Sequence, residues 1–211
     1  MNSCPLCEGD SLLFFYQDNR RSYLRCNNCH LVVVPPEFFL CSDAEKSVYD
    51  QHENHPEDKK YRDFLSRTFD PLIAQLPNDA KGLDFGCGSG PTISVMAEEV
   101  GLSVNNYDLY YHNTPEVLEH CYDFVTITEV IEHVADAKAL LMRLDSLLSS
   151  GGILAVMTAR MVDADAFGQW YYKNDPTHIR FYCIETFEWV ADFFHWQLEI
   201  VDKSVVFFHK K

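Results

Sequence analysis

The stretch Leu83–Gly90, LDFGCGSG, places a short apolar strand directly before a turn with three alternating glycines. Glycine is needed where a backbone turns sharply or approaches a ligand closely, and Pro91 suits the first turn of a following helix. A dinucleotide-binding pattern needs a glycine at position 91, and a P-loop needs a lysine after its last glycine. The turn therefore predicts a nucleotide-like ligand but disfavours both NAD and ATP.

Two carboxylates flank this turn in the predicted topology. Asp84 lies in the strand before the glycines, and Asp108 ends the next apolar segment, 18 positions after Gly90. An acid at the tip of a second strand can accept hydrogen bonds from ribose hydroxyls. The pair therefore suits a ligand with a ribose and a cationic ammonium group but no phosphate.

The glycine turn and Asp108 together resemble the class I S-adenosylmethionine (SAM)-dependent methyltransferases, over roughly residues 81–208. The resemblance implies an α/β fold: a doubly wound, Rossmann-like sheet of six to seven strands, the last one antiparallel. It also implies that Asp84 lies near the methionine ammonium and that Asp108 holds the ribose. The further cofactor contacts that it implies are Gly86, Cys87, Gly88, Leu109 and Glu129.

The segment after Asp108 departs from that family. Only 13 residues separate Asp108 from Tyr122, where the next buried strand begins. Most relatives fit a helix and a third strand there, and the tip of the third strand contacts the adenine ring. We expect a shortened crossover or the loss of that strand. Leu109 and Tyr110 are candidates to pack on the ring, although aromatic residues there could equally belong to the core.

Four cysteines near the N-terminus form two CxxC pairs separated by 18 residues, Cys4 and Cys7 in CPLC and Cys26 and Cys29 in CNNC. This spacing predicts a zinc ribbon whose four thiolates complete a tetrahedral Zn²⁺ shell. Such a closed shell is structural and not catalytic. The alternative is four ordinary free or redox-active cysteines.

We predict a zinc ribbon over residues 1–40, a linker and N-terminal helix over 41–77, and a methyltransferase domain over 78–211.

A cluster of acids and histidines follows the predicted fourth strand. The segment EVIEHV supplies Glu129, Glu132 and His133, and DPTHIRFY adds His178. This set resembles ubiquinone-pathway O-methyltransferases and small-RNA 2′-O-methyltransferases, where it is associated with a divalent metal over the acceptor oxygen. We name Glu132, His133 and His178 as candidate catalytic residues, with a second divalent metal as one reading. A metal-free base and a purely structural role are the others.

The region between residues 167 and 182 is rich in aromatic side chains and predicts a wall of the acceptor pocket. Its candidates for an apolar slot are Trp170, Tyr171, Tyr172 and Tyr182. Aromatic clusters are also common in plain cores, so both readings stay open for these residues.

The net charge of −15 argues against a nucleic-acid partner, because such proteins usually carry a basic face. The predicted function is methyl transfer to a small molecule, with a hydroxyl as the expected acceptor group. Two alternatives remain: an RNA methyltransferase using Arg20, Arg21 and Arg25 of the ribbon, and a non-catalytic scaffold that recruits a protein.

With neither an apolar run near ~20 residues nor a secretory signal, we expect a cytoplasmic protein. The oligomeric state is not indicated.

Overall fold

The computed structural model describes residues 3–51 and 54–211, and the strands of these residues form two sheets. The N-terminal half contains the strands β1 (Leu12–Gln17), β2 (Ser22–Cys26), β3 (Val32–Val33), β4 (Lys81–Phe85) and β5 (Ser103–Tyr107), and the helices α1 (Ser42–Tyr49), α2 (Lys59–Ile73) and α3 (Thr92–Glu99). The C-terminal half contains the strands β6 (Tyr122–Thr128), β7 (Leu148–Met157), β8 (Arg180–Phe181), β9 (Gln197–Ile200) and β10 (Val205–His209), and the helices α4 (Ala137–Leu147), α5 (Ala164–Gln169) and α6 (Ile184–Phe194).

The larger sheet has six strands in the order β5-β4-β6-β7-β10-β9. β4 pairs in parallel with both β5 and β6, and β6 pairs in parallel with β7. β10 is antiparallel to both of its neighbours, β7 and β9. The predicted α/β sheet with an antiparallel end is therefore confirmed. Because the carboxyl ends of β4, β5 and β6 meet at one edge, the loops that follow them converge there.

Helices cover both faces of this sheet. Alternate residues of β6 and β7 belong to opposite cores: Val125 and Leu154 pack with α4 and α6, whereas Phe124 and Ile153 pack with α2 and α3. This explains why these strands are nearly continuous apolar runs, since strands buried on both faces need apolar residues at every position.

The third strand of the usual fold is missing from the described segment between β5 and β6. A 3₁₀ turn at Pro115–Glu119 takes its place. The hydroxyl of Tyr122 donates to the carbonyl of Val117 at 2.6 Å and lies 2.9 Å from the amide nitrogen of Asn105, which ties the short crossover to the sheet. The expected loss of this strand is confirmed, and β5 is left as the edge of the sheet.

The smaller sheet has the order β1-β2-β3-β8, all antiparallel. β1 and β2 form the hairpin between the two cysteine pairs. β8 comes from the C-terminal half of the chain and pairs with β3: Val32 lies opposite Phe181, and Val33 lies opposite Arg180. Residues 3–40 therefore share a sheet with the segment that carries His178, a connection that the sequence does not indicate.

In residues 3–51 and 54–211, no helix combines the length and the apolar character needed to cross a membrane.

Candidate functional site

The glycine turn connects β4 to α3. Gly86 and Gly88 adopt φ angles of +81° and +66°, which disfavour residues with a side chain. A Cβ atom at Gly86 would also lie only 2.3 Å from Cγ2 of Val130, in the loop after β6. The amide of Gly86 donates to the carbonyl of Tyr107 at 2.7 Å, at the end of β5. The three loops are thus packed against one another without room for larger residues.

Asp84 lies at the base of this turn and is 3% exposed. Its carboxylate accepts a hydrogen bond of 2.7 Å from the hydroxyl of Thr126 on β6. Burial, and to a lesser degree the charge of Asp108, raises the pKa of Asp84 to about 7, although the bond from Thr126 opposes this. A buried carboxyl with a raised pKa is stabilised as a carboxylate by a nearby cation, such as an ammonium group.

Asp108 closes β5 and organises the adjoining loops. One carboxylate oxygen accepts a 3.1 Å bond from the amide of Gly88, and the other accepts bonds of 2.8 Å and 3.1 Å from the amides of Tyr110 and Tyr111. These bonds fix the carboxylate beside the glycine turn. Leu109, next to it, is 62% exposed and is accessible to a planar ligand.

Cys87 occupies the middle of the turn with a buried side chain. Its thiol lies 3.6 Å from the carbonyl of Gly88. Burial, together with the charges of Asp84 and Asp108, raises the pKa of Cys87 well above its usual range. The thiol is therefore neutral, and the contribution of Cys87 to a ligand site comes from its backbone and from packing.

The candidate catalytic residues converge after β6. One ligand atom each of Glu132, His133 and His178 lies within 4.8 Å of the others, although His178 is 45 positions from His133 in the chain. Glu132 is fully buried, and its Oε2 has no hydrogen-bond partner. A buried carboxylate oxygen without a partner is costly unless a cation or another donor compensates it. The structure thus brings together three of the four predicted residues, close enough for one ligand atom of each to hold a metal ion.

Both histidines are held by backbone carbonyl groups. Nδ1 of His133 lies 3.2 Å from the carbonyl oxygen of Thr177, and Nδ1 of His178 lies 2.8 Å from that of Tyr172. A carbonyl beside Nδ1 favours a proton on that nitrogen and a lone pair on Nε2, which is the usual arrangement of metal-binding histidines. Burial and the charge of His133 lower the pKa of His178 to about 4, so the ring of His178 is neutral near pH 7.

Glu129, the fourth predicted residue, is linked to the cluster through Tyr172. The hydroxyl of Tyr172 donates to Glu129 at 3.0 Å and also contacts Glu132 and, at 3.2 Å, the hydroxyl of Thr158. Glu129 adopts a left-handed φ of +53°. Burial and the charge of Glu132 raise the pKa of Glu129 to about 8, and burial raises that of Glu132 to about 7. Two acids that share one hydroxyl favour a single negative charge between them.

The helix α1 lies over this edge of the sheet. The ring of Tyr49 is 5.3 Å from that of His133 and 5.8 Å from that of Tyr110. The hydroxyl of Tyr110 donates to Glu45 at 2.7 Å, which ties α1 to the loop that Asp108 organises. The sequence predicts a linker and an N-terminal helix over residues 41–77, with this segment as a linker or short helix, but no role for it at the site. The polar and charged composition of α1 hides its role, because its contacts are made by polar and aromatic side chains.

The aromatic segment between residues 167 and 182 divides between surface, core and site. Tyr171 is 77% exposed, and Tyr182 is fully buried, with its ring stacked on Phe187. Tyr172 reaches the acids with its hydroxyl, and the ring of Trp170 lies 5.1 Å from that of Tyr172. Of the two readings, a plain core fits Tyr182, and Tyr171 lies at the surface, whereas a pocket wall formed by Trp170 and Tyr172 stays a prediction.

The four N-terminal cysteines converge on one point. Sγ of Cys4 lies 3.5 Å from that of Cys29, Sγ of Cys7 lies 3.4 Å from that of Cys26, and all four lie within 4.8 Å of one another. The edge of a ZnS₄ tetrahedron with bonds of ~2.3 Å is about 3.8 Å, so the spacing fits that ion. All eight cysteines of the chain are free thiols.

The two CxxC turns close in the same way. The amide of Glu8 donates to the carbonyl of Cys4 at 2.9 Å, and the amide of His30 donates to that of Cys26 at 3.0 Å. Glu8 and His30, each one residue after its cysteine pair, both adopt left-handed φ angles near 60°. Two matching turns that aim four thiols at one point are compatible with a zinc ribbon.

The sheet order, the glycine turn and the acid at the end of the next strand define a class I methyltransferase fold. Residues 51–199 match the model of a family described as a methyltransferase domain. Because this match covers more than half of the chain, the protein belongs to that methyltransferase family. A ubiquinone biosynthesis O-methyltransferase of Ruegeria sp. (strain TM1040) is 34% identical over 84 residues, which are 38% of this chain and 32% of that protein.

A second ubiquinone biosynthesis O-methyltransferase, from Dinoroseobacter shibae, is 36% identical over 89 residues, 41% of this chain and 34% of that protein. The matches thus span about a third of the length of these curated relatives. Among solved structures, the 1,6-didemethyltoxoflavin-N1-methyltransferase of Burkholderia thailandensis, with 1,6-didemethyltoxoflavin and S-adenosylhomocysteine bound, has a TM-score of 0.50 at 16% identity and covers 94% of this chain and 99% of that one. The magnesium protoporphyrin IX methyltransferase of Synechocystis PCC 6803, with S-adenosylhomocysteine bound, has a TM-score of 0.51 at 16% identity, over 80% of this chain and 94% of that one. These similarities establish the fold.

Proposed function

We propose that the protein transfers a methyl group from SAM to a hydroxyl oxygen of a small molecule. The observation that carries this proposal is the convergence of Glu132, His133 and His178 at the edge of the sheet where the glycine turn lies. The family match supports methyl transfer, and the local similarity to two O-methyltransferases supports an oxygen acceptor.

The residues around the glycine turn fit SAM. The turn offers a backbone surface at Gly86 and Gly88 that side chains would fill. Asp84 is a buried carboxyl suited to the methionine ammonium, and Asp108 presents carboxylate oxygens for the two ribose hydroxyls. Glu129 would face the methionine portion of bound SAM, and Leu109 and Cys87 would pack at its nucleoside end. SAM supplies a methyl group already activated by its sulfonium.

The acid–histidine cluster fits a divalent cation held by Glu132, His133 and His178, with Glu129 near it through Tyr172. Carboxylate and imidazole ligands suit Mg²⁺, Mn²⁺ or Zn²⁺, and the unpartnered Oε2 of buried Glu132 gives the cluster a reason to bind one. Such a cation would lower the pKa of an acceptor hydroxyl. Without a cation, the same imidazoles would take the hydroxyl proton themselves.

Methyl transfer is a displacement at carbon. The acceptor oxygen forms a bond to the methyl carbon as the carbon–sulfur bond breaks, its electron pair stays on sulfur, and the hydroxyl proton passes to the acid–histidine cluster. The protein mainly aligns the reacting atoms and excludes water. Tyr49 and Tyr110 support α1 over the cluster, which shields this edge from solvent.

We further propose that Cys4, Cys7, Cys26 and Cys29 hold one structural Zn²⁺. The four thiols lie at the spacing of a closed S₄ shell, and a module this small needs a metal to supply its folding energy. Of the three arginines that could have formed a basic face for RNA, Arg21 is only 7% exposed. This burial and the net charge of −15 favour a small-molecule acceptor over RNA.

The test is an assay with methyl-labelled SAM and a panel of phenols, alcohols and RNA fragments, analysed by mass spectrometry. Samples treated with EDTA are compared with samples given Mg²⁺, Mn²⁺ or Zn²⁺. We expect labelled methyl ethers of a small molecule, with His133→Ala and His178→Ala losing turnover while their SAM affinity is retained. His209→Ala, at the far end of the sheet, is the matched control. Transfer only to RNA, or no SAM binding by the wild-type protein, would contradict the proposal.

A further inference from the structure

The segment that carries Tyr172 and His178 is held by residues 3–40, which we call the N-terminal cysteine module. The buried guanidinium of Arg21, in the β1–β2 hairpin, donates to three backbone carbonyls of this loop: Lys173 at 2.6 Å, Asp175 at 2.9 Å and Pro176 at 3.3 Å. Its Nε also donates to the hydroxyl of Tyr23 at 3.0 Å. A planar guanidinium with several fixed donors is well suited to define the path of a loop.

A second contact from the same hairpin supports this loop. The ammonium of Lys173 donates to Asp18 at 2.9 Å, and both side chains are largely buried. The hydroxyl of Tyr23 also donates to Asp18, at 3.1 Å. Asp18, Arg21 and Tyr23 therefore form one network that meets the loop immediately after Tyr172.

The other end of the loop is attached to the same module. The amide of Val34 donates to the carbonyl of Ile179 at 3.0 Å, and β3 then pairs with β8. Tyr172, whose carbonyl faces Nδ1 of His178, lies directly before the first attachment, and Thr177, whose carbonyl faces Nδ1 of His133, lies between the two. The loop thus orients both histidines, and the module fixes both ends of the loop.

We propose that Arg21 is a positioning residue for the part of the active site that would receive the methyl acceptor. Through Arg21, the cysteine module sets the orientation of His178 and of the Tyr172 hydroxyl. The inference rests on the proposed function, because these two side chains matter to catalysis only if the acid–histidine cluster serves methyl transfer. The cysteine module would then help to build the active site of its own chain and would not be a separate binding domain.

The test compares full-length wild-type protein with Arg21→Met, Arg21→Lys and Arg20→Met. Arg20 is the matched control because it is exposed and makes a single bond to the same loop, to the carbonyl of Asn174 at 3.1 Å. Hydrogen exchange followed by mass spectrometry reports on peptides covering residues 171–178 and 81–108. The ¹⁵N resonances of the His178 ring, assigned with His178→Gln, report its tautomer.

For Arg21→Met we expect at least tenfold faster exchange over residues 171–178, unchanged exchange over 81–108, and loss of the Nδ1-protonated state of His178. Arg21→Lys keeps the positive charge but lacks the several fixed donors of the guanidinium, so we expect its exchange over residues 171–178 to stay close to that of Arg21→Met. Arg20→Met should resemble the wild type. Unchanged exchange and an unchanged His178 tautomer in Arg21→Met would overturn the proposal, as would faster exchange spread equally over the whole chain. SAM titration of each variant keeps the two proposals apart: wild-type protein without SAM affinity refutes the proposed function, whereas retained affinity with an unaltered loop refutes only the role of Arg21.

Discussion

The two halves of the candidate site are built in different ways. The half around the glycine turn comes from one continuous stretch, in which Asp84 lies on β4 and Asp108 directly follows the neighbouring strand β5. The half around His178 combines the loop after β6, a loop 40 residues later and a hairpin from the N-terminus. Continuous β–turn–α units keep their geometry through local hydrogen bonds, whereas the second half depends on long-range contacts. We therefore expect perturbations of the cysteine module to damage the second half first.

Loss of the metal that we propose for the cysteine cluster should have the largest effect. Cys26→Ser removes one thiolate from a closed shell, and structural Zn²⁺ contributes roughly 10 kcal/mol or more to folding in small zinc modules. We expect the variant to lose zinc by elemental analysis and to unfold at residues 3–40 and 171–181 by hydrogen exchange. Cys121→Ser, at an exposed thiol outside the cluster, is the control. Full stability of a zinc-free Cys26→Ser protein would show that the module needs no metal.

A substitution in the glycine turn should be next in size and should be confined to the first half. Gly86→Ala and Gly101→Ala impose the same backbone strain, because both glycines have a φ of +81°, which costs a residue with a side chain about 1–2 kcal/mol. Only at Gly86 would the new Cβ meet a neighbour, 2.3 Å from Val130, whereas nothing lies within 4 Å at Gly101. We expect Gly86→Ala to lose SAM binding and at least ~2 kcal/mol more stability than Gly101→Ala in urea unfolding. Equal effects of the two would refute the tight packing of the turn.

The hydroxyl of Tyr172 tests the polar contacts of the second half. Tyr172→Phe removes the donor shared by Glu129 and Glu132, and leaving a buried acceptor without its donor costs about 1–3 kcal/mol. We expect that loss of stability together with reduced turnover and an unchanged affinity for SAM. Tyr171→Phe, at the exposed neighbouring ring, should change neither quantity. A fall in SAM affinity with Tyr172→Phe would mean that the two halves are not separable.

The first half was largely predictable from the sequence, and the second half only in part. The spacing of the glycines to Asp108 is a local pattern, and 13 residues before Tyr122 are too few for a third strand and its helix. The segment EVIEHV and His178 predicted a cluster by resemblance, and the structure brings its members together. β8 could not be predicted, because a two-residue strand has no periodicity. Nor could the contact of Arg21 with the loop, because its partners there are backbone carbonyls, which any sequence supplies.

The smallest expected effect concerns acid stability at the junction between the module and the loop. Burial raises the pKa of Asp18, but hydrogen bonds from Lys173 and from the backbone of Arg21 and Arg20 outweigh it and hold that pKa well below its usual range. A depressed folded-state pKa contributes stability above the unfolded value of about 3.9, which is lost as the pH falls through the folded value. We expect Asp18→Asn to be less stable than the wild type by about 1 kcal/mol at pH 6, and this difference should shrink below pH 4. A difference that stays constant from pH 6 to pH 2 would show that the carboxylate charge plays no part.

The central claim is that the glycine turn and the carboxylate of Asp108 bind SAM. Isothermal titration calorimetry of SAM with the wild-type protein, Asp108→Ala and Asp165→Ala tests it directly, Asp165 being an exposed acid of α5. We predict saturable binding to the wild type, the same affinity for Asp165→Ala, and an affinity at least tenfold lower for Asp108→Ala, since two charge-assisted hydrogen bonds would be lost. Equal SAM affinity of the wild type and Asp108→Ala, or no binding to either, would contradict the account.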